Sequence, residues 1–203
     1  MNGSFLIEAF QAPSTCAQNL GDFFNNLGAD PYLESNCRFR AFSQYQKTET
    51  QFEKLDTSTF MQSSDVNRLI GNVERKFEDI SSALDQHPDF QNLLNVDTTK
   101  QPIGVHQIRV VCSQDQSGSP APEGIHQDGF DFVGIFCVKR DNIAGAFTQI
   151  FSSPVDQHPH MSTTLEENQF IIFNDRRYYH YVTETLPDQQ DATGLRDVFV
   201  FTA

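Results

Sequence analysis

The second half of the chain constrains the fold most. Residues 105–112 (VHQIRVVC), 131–138 (DFVGIFCV), 146–151 (AFTQIF), 169–174 (QFIIFN), 178–184 (YYHYVTE) and 197–202 (DVFVFT) are short runs rich in Val, Ile, Phe and Tyr, divided by polar turns. No stretch between them carries an apolar repeat of helical period. Parallel neighbours need a long crossover, usually a helix, so a βαβ arrangement is disfavoured. The runs fit an antiparallel sandwich or jelly roll.

Helical signals are confined to the first half. Cys16, Leu20, Phe23, Phe24 and Leu27 fall on one helix face, with Ser14 or Thr15 as cap and Gly28 and Pro31 beyond the end. Val66, Leu69, Ile70, Val73, Phe77, Ile80 and Leu84 predict a longer helix, capped by Ser63 or Ser64 and stopped before Pro88. A short third helix is expected over Phe90 to Leu94, and a strand over residues 37–45. The chain therefore reads as α+β, mainly β, and as a single domain over 1–203. Residues 1–100 would be a helical support region with one or two strands, its helices packed on one outer face. Residues 101–203 would be the jelly-roll core.

Charge narrows the partners. With 14 Lys and Arg against 27 Asp and Glu, the formal charge is 14 − 27 = −13. Nucleic acid and anionic membrane both call for a basic face, so neither is expected as a partner. A small anionic ligand needs only one or two local cations and stays possible. Cys16, Cys37, Cys112 and Cys137 form no C-x-x-C pair and are too sparse for a disulfide scaffold, which suits reduced thiols in the cytoplasm. The start of the chain lacks the basic and long apolar parts of a signal peptide, and no run is long enough to span a membrane.

The segment PEGIHQDGF at 122–130 carries the chemistry. His126 and Asp128 are two apart, so on extended backbone both side chains point the same way. Gly129 relaxes the backbone as the chain leaves. Alone, this spacing is a weak signal, and chance or a surface hydrogen bond is its more frequent explanation. His180, in YYHYVT, supplies a third donor, and two imidazoles with one carboxylate on a β scaffold are the facial triad of non-haem Fe(II) oxygenases. Three ligands on one face of an octahedral iron leave three positions for a chelating cosubstrate and O2. Zinc prefers a tetrahedral site with one open position. Arg196 begins the last strand and could hold a distal carboxylate by a two-pronged salt bridge. Taken by itself, Arg196 is better explained by a surface ion pair with Asp197.

Other residues compete for roles. Arg109 would meet a substrate or cosubstrate carboxylate if it pointed inward, and an internal ion pair if it did not. His106 reads as a core or sheet-face histidine. His158 and His160 have metal-pair spacing but sit in a loop with no carboxylate partner. Arg176 and Arg177 read as one solvated arginine and one sheet-edge ion pair, with Asp175 as partner. The polar loop 113–124 is either a lid over the site or a surface connection.

Taken together, HQIRV at 106–110, PEGIHQDGFDFV at 122–133, KRDNIAGAFTQIF at 139–151, FNDRRYYHYVT at 173–183 and GLRDVFVFT at 194–202 resemble the bacterial 2-oxoglutarate/Fe(II)-dependent dioxygenases that include the L-isoleucine and related free amino-acid hydroxylases. DPYLESNCRFRAFSQY at 30–45 extends the likeness toward the N-terminus. Ala146 replaces a glycine of the family pattern. The resemblance implies a double-stranded β-helix, a cupin-like jelly roll. It implies Fe(II) on His126, Asp128 and His180, and the distal carboxylate of 2-oxoglutarate on Arg196. It also implies hydroxylation of an unactivated C–H of a small metabolite, a free L-amino acid or derivative, with release of succinate and CO2. An Asp at the carboxylate position goes with hydroxylation rather than halogenation. Two rivals are a non-catalytic jelly-roll ligand-binding or sensor protein and a cupin-like zinc or nickel enzyme.

Overall fold

Each long strand of the large sheet shows one face to a helical core and the other to a cavity. The computed structural model describes residues 7–56, 59–64, 71–95, 102–189 and 192–203. In the first half the strands are β1 (Ile7–Gln11), β2 (Arg38–Lys47), β3 (Phe52–Lys54), β4 (Thr59–Phe60) and β5 (Arg75–Lys76). The second half holds β6 (Ile103–Cys112), β7 (Phe132–Asp141), β8 (Ile143–Gly145), β9 (Phe147–Phe151) and β10 (Met161–Thr164). It ends with β11 (Gln169–Asn174), β12 (Tyr179–Val182), β13 (Thr185–Pro187) and β14 (Gly194–Thr202). Seven strands join in the order β1-β11-β7-β14-β6-β2-β3, and three more in the order β10-β9-β12. Every pairing between these strands is antiparallel. The result is a jelly-roll-type fold.

The six runs rich in β-branched and aromatic residues all become strands, with ends moved by a few residues. Period 2 then sorts their side chains. On one face of the large sheet, Val105, Phe136, Phe170, Phe199 and Phe201 share a core with Leu20, Phe24, Leu84, Phe90 and Leu94. Phe199 packs in tilted contact with Phe24 at 5.0 Å and Phe90 at 5.3 Å, ring centre to ring centre. On the other face, Ile135, Ile171, Phe173 and Val198 pack with Ile150 of β9 and Leu165.

The helices are shorter than the sequence predicts. The first, α1 (Cys16–Gly21), passes into a 3-10 turn at Asp22–Phe24. The second, α2 (Ser82–Asp85), is capped by Ser81, whose hydroxyl accepts the Leu84 N–H. Pro88 opens α3 (Pro88–Leu94), where its missing N–H costs nothing. The long helix expected from Val66 to Leu84 is not formed over its described part; residues 66–70 lie outside the described residues. Arg75 and Phe77 are buried while Lys76 and Glu78 are exposed, a period of 2 rather than 3.6. The backbone there bonds outward instead of to itself: the Phe42 N–H donates to the Glu78 carbonyl at 2.9 Å. The first half also supplies more strand than expected, since β1 forms one edge of the large sheet and β2 and β3 the other. No helix among the described residues is long and apolar enough to cross a membrane.

Candidate metal centre and cosubstrate cavity

His126 and His180 face each other across an isolated antiparallel bridge. The His126 N–H donates to the His180 carbonyl at 3.0 Å, and the His180 N–H to the His126 carbonyl at 2.8 Å. Residues opposed in this way present their side chains on the same side of the sheet. The two rings lie 4.2 Å apart, centre to centre. Asp128 follows two residues after His126 and turns inward. Its Oδ1 is 3.8 Å from His126 Nε2 and its Oδ2 is 3.5 Å from His180 Nε2. One donor atom from each of the three lies within 4.8 Å of the others, the only such group of three among the described residues.

The surroundings fix these side chains. His126 Nδ1 donates to the Gly124 carbonyl at 2.8 Å, which leaves Nε2 bare for a metal. Burial holds His180 neutral, well below the ordinary imidazole range, with His126 adding to the effect. Burial also pushes the Asp128 carboxyl upward, so its anion is uncomfortable there without a cation. Gly129 has a φ of +88°, a conformation that admits glycine readily and lets the chain turn away after Asp128.

Two supporting residues escaped the sequence. Asp175, buried at the end of β11, accepts the backbone N–H groups of Asp128, Gly129 and Phe130. Burial and the neighbouring Asp128 push its carboxyl up to about 7. The expected ion pair of Asp175 with Arg176 or Arg177 is absent, because Arg176 pairs with Asp131. Gln62 donates to Asp128 Oδ1 at 2.7 Å. Neither residue type at its position carries a pattern, so sequence offered no signal for them.

The three donors open onto a cavity lined also by Arg38, Arg40, Phe60, Gln62, Arg75, His106, Glu123 and Arg196. Arg196 is 2% exposed, and its Nε and Nη2 have no hydrogen-bond partner among the described residues. The anticipated alternative, a pair with Asp197, fails because consecutive strand residues point to opposite faces. Asp197 instead binds Arg109, through contacts of 2.7 Å to both carboxylate oxygens.

That pairing corrects the reading of Arg109 as a substrate contact. His106, Ile108 and Val110 line the cavity, so Arg109 between them faces away. His106 is buried in the cavity wall, where its Nδ1 accepts from Arg40 Nη2 at 2.7 Å. His158 and His160 are exposed, and His160 bonds Ser152 rather than any acid. In the loop 113–124, Gly118 is pinned to Thr185 by two backbone bonds of 2.9 Å, and Pro120, Ala121 and Glu123 form part of the cavity wall.

Two imidazoles and a carboxylate on one side of a jelly-roll cavity, with a buried cation set beside them, define a mononuclear metal oxygenase architecture. Comparison with known proteins agrees. The chain matches the family described as 2OG-Fe dioxygenase over residues 21–202, and it belongs to that family. It is similar to L-isoleucine-4-hydroxylase of Bacillus thuringiensis, 26% identical over 194 positions that span 88% of this chain and 79% of that one. It is also similar to 3(1)-hydroxy-L-isoleucine 4-dioxygenase of Pantoea ananatis, 23% identical over 197 positions, 88% of this chain and 77% of that one. Among solved structures, a bsmA homolog from Methylobium petroleophilum superposes with a TM-score of 0.80 at 24% identity, covering 94% of this chain and 81% of its own. IDO from Bacillus thuringiensis superposes with a TM-score of 0.77 at 18% identity, covering 97% and 92%. The chain is an Fe(II)- and 2-oxoglutarate-dependent dioxygenase that uses O2.

Proposed function

We propose that this enzyme hydroxylates an unactivated C–H bond of a small metabolite, a free L-amino acid or close derivative, in the cytoplasm. The observation that carries the reading is the cavity itself: His126, Asp128 and His180 converge in its wall, and buried Arg196 lines the same space with its Nε and Nη2 lacking hydrogen-bond partners among the described residues. The names of the two curated relatives direct the substrate class toward amino acids, and four free, buried cysteines suit a reducing compartment.

In this reading His126, Asp128 and His180 hold Fe(II), and Arg196 holds the distal carboxylate of 2-oxoglutarate. Their fit rests on a bare Nε2 on His126, a neutral His180, a buried carboxyl that gains from a cation, and a guanidinium with donors to spare. When bound, iron and 2-oxoglutarate supply oxidising power from O2, with succinate and CO2 as by-products. The chain's own residues orient and exclude. Asp175 and Gln62 fix Asp128, Gly124 fixes the ring of His126, and Val182, Val198 and Val200 give the cavity an apolar wall.

The test is anaerobic addition of Fe(II) and 2-oxoglutarate, then O2 with the common L-amino acids. A metal–cosubstrate absorption band, succinate, and a product heavier by one oxygen atom are expected. No band and no succinate above a His126→Ala control would sink the reading.

A further inference from the structure

The cavity gathers cations that the reaction, as read above, does not use. Four of the chain's 14 Lys and Arg line it, namely Arg38, Arg40, Arg75 and Arg196, against two of its 27 acids, Glu123 and Asp128. This local excess of positive charge runs against an overall balance of −13. Arg38 is quenched by Asp30, at 2.8 Å. Arg196 is assigned to the cosubstrate. Arg40 and Arg75 remain.

Both are buried, at 7% and 1% exposure. Arg40 approaches Asp30 only to 3.9 Å, and its Nη2 donates to neutral His106. Arg75 donates from Nη2 to the Gln62 amide oxygen at 2.6 Å. The Nε of each has no hydrogen-bond partner among the described residues. Glu123 is near enough for its charge to favour both guanidinium groups, but it makes no hydrogen bond or ion pair with either among the described residues, so their N–H groups stay open to another acceptor.

Aromatic rings hold the two groups in place. The Arg75 guanidinium lies over Phe60 at 4.7 Å and that of Arg40 over Phe77 at 4.4 Å, with Phe60 also 5.5 Å from Arg40. Stacking of this kind covers the face of a guanidinium and leaves its N–H edge for an acceptor. A buried guanidinium short of acceptors is costly, and an organic carboxylate is the group whose two oxygens match its fork.

We propose that Arg40 and Arg75 form the subsite for the carboxylate of the primary substrate, distinct from the cosubstrate's arginine, Arg196. This rests on the reading of the site as a hydroxylase. Gln62 links the subsite to the metal end: it accepts from Arg75 and donates to Asp128, at 2.6 and 2.7 Å. The substrate's acid group is thereby held in register with the metal ligands. The enzyme requires a free carboxylate on its substrate and rejects the same molecule without one.

The experiment uses the full-length wild type and two variants, Arg75→Met and Arg40→Met, whose folding is checked by circular dichroism and by 2-oxoglutarate binding. The probes are the common L-amino acids, their carboxamides and the matching decarboxylated amines. For an acid that stimulates succinate formation, its carboxamide and amine should be poorer by about 100-fold in kcat/KM. Arg75→Met should lower kcat/KM on the acid by a similar factor, lower it several-fold less on the carboxamide so that the acid-to-carboxamide ratio collapses, and leave the Kd of 2-oxoglutarate within about three-fold. In the anaerobic Fe(II)–2-oxoglutarate protein, the acid should raise Tm and the carboxamide should not. The wild-type acid-against-carboxamide comparison stands even if a variant does not fold. Equal turnover of acid and carboxamide overturns the proposal, as does an Arg75→Met loss of equal size on both. So does 2-oxoglutarate binding with no amino acid able to stimulate succinate, while the dioxygenase reading then survives. Failure of the wild type to bind 2-oxoglutarate overturns both.

Discussion

Asp175 holds the backbone of Asp128: its Oδ2 accepts the Asp128 N–H at 2.9 Å, and the next two N–H groups at 2.7 and 3.1 Å. A buried carboxylate in the turn just after β11 thus shapes the segment that aims a metal ligand 47 residues earlier in the chain. Asp175→Ala should leave those three donors unsatisfied and loosen the His126–Asp128 spacing. Metal affinity is expected to fall about 10- to 100-fold, the usual loss for an outer-shell partner. Titration with Mn(II) followed by electron paramagnetic resonance checks it, and unchanged affinity would show that the turn holds its shape alone.

Arg196→Met keeps the length of the side chain and removes its donors. The KM for 2-oxoglutarate should rise by about 100-fold, as for a lost bidentate carboxylate contact, with metal affinity within about two-fold. Steady-state kinetics beside metal titration separates the two. A matched loss of both would move Arg196 from cosubstrate binding to structural support.

Arg109 should matter to stability and not to catalysis. Its partner Asp197 is fully buried, so Arg109→Ala strands a carboxylate inside the protein. A cost of about 3 kcal/mol is expected, seen as a lower urea midpoint. The folded fraction should keep its substrate KM. A raised KM at unchanged stability would restore Arg109 as a substrate contact.

The thiols of Cys16 and Cys137 are both pushed up to about 11 by burial. Each is therefore neutral at pH 8 in the folded protein, and iodoacetamide should not label either until the chain unfolds. The sign for stability follows from the same shift. Unfolded thiols ionise near pH 8.5, so the contribution is complete below that value and is lost as pH rises toward 11. Denaturation midpoints should drop between pH 8 and pH 10.5, and less so in Cys137→Ala. Equal drops in both proteins would assign the alkaline loss to other groups.

Gln62 bridges Arg75 and Asp128, so Gln62→Leu should break the link between the arginine and the metal ligand. The expected cost is about 1–3 kcal/mol of stability from the buried groups left unpaired, together with weaker metal binding. Thermal unfolding and the Mn(II) titration read the two effects. No change in either would mean that water replaces the amide.

The strands were legible because β-branched and aromatic runs bounded by turns have few alternatives. His126 and Asp128 were a weaker signal: a spacing of two aims both side chains one way on extended backbone, and it gained weight only with His180 and the flanking segments beside it. The long helix predicted from Val66 to Leu84 did not form over its described part, for the opposite reason. Its apolar spacing suits a helix, yet Arg75 and Phe77 gain more by facing inward together, and β2 takes the Glu78 carbonyl. Local periodicity does not register a hydrogen bond offered by a strand more than thirty residues away.

Residue pattern alone pointed to a mainly antiparallel β chain, to His126, Asp128 and His180 as candidate metal donors, and to Arg196 as a candidate carboxylate-binding arginine. Which face each arginine takes was settled by folding. Strand alternation sends Arg196 into the cavity and Asp197 outward to Arg109, and it takes Arg109 out of the site. It also brings Arg40 from β2 and Arg75 from β5 to the same cavity as β12 and β14. Burial and register depend on partners distant in sequence, and those exist only once the sheets have closed.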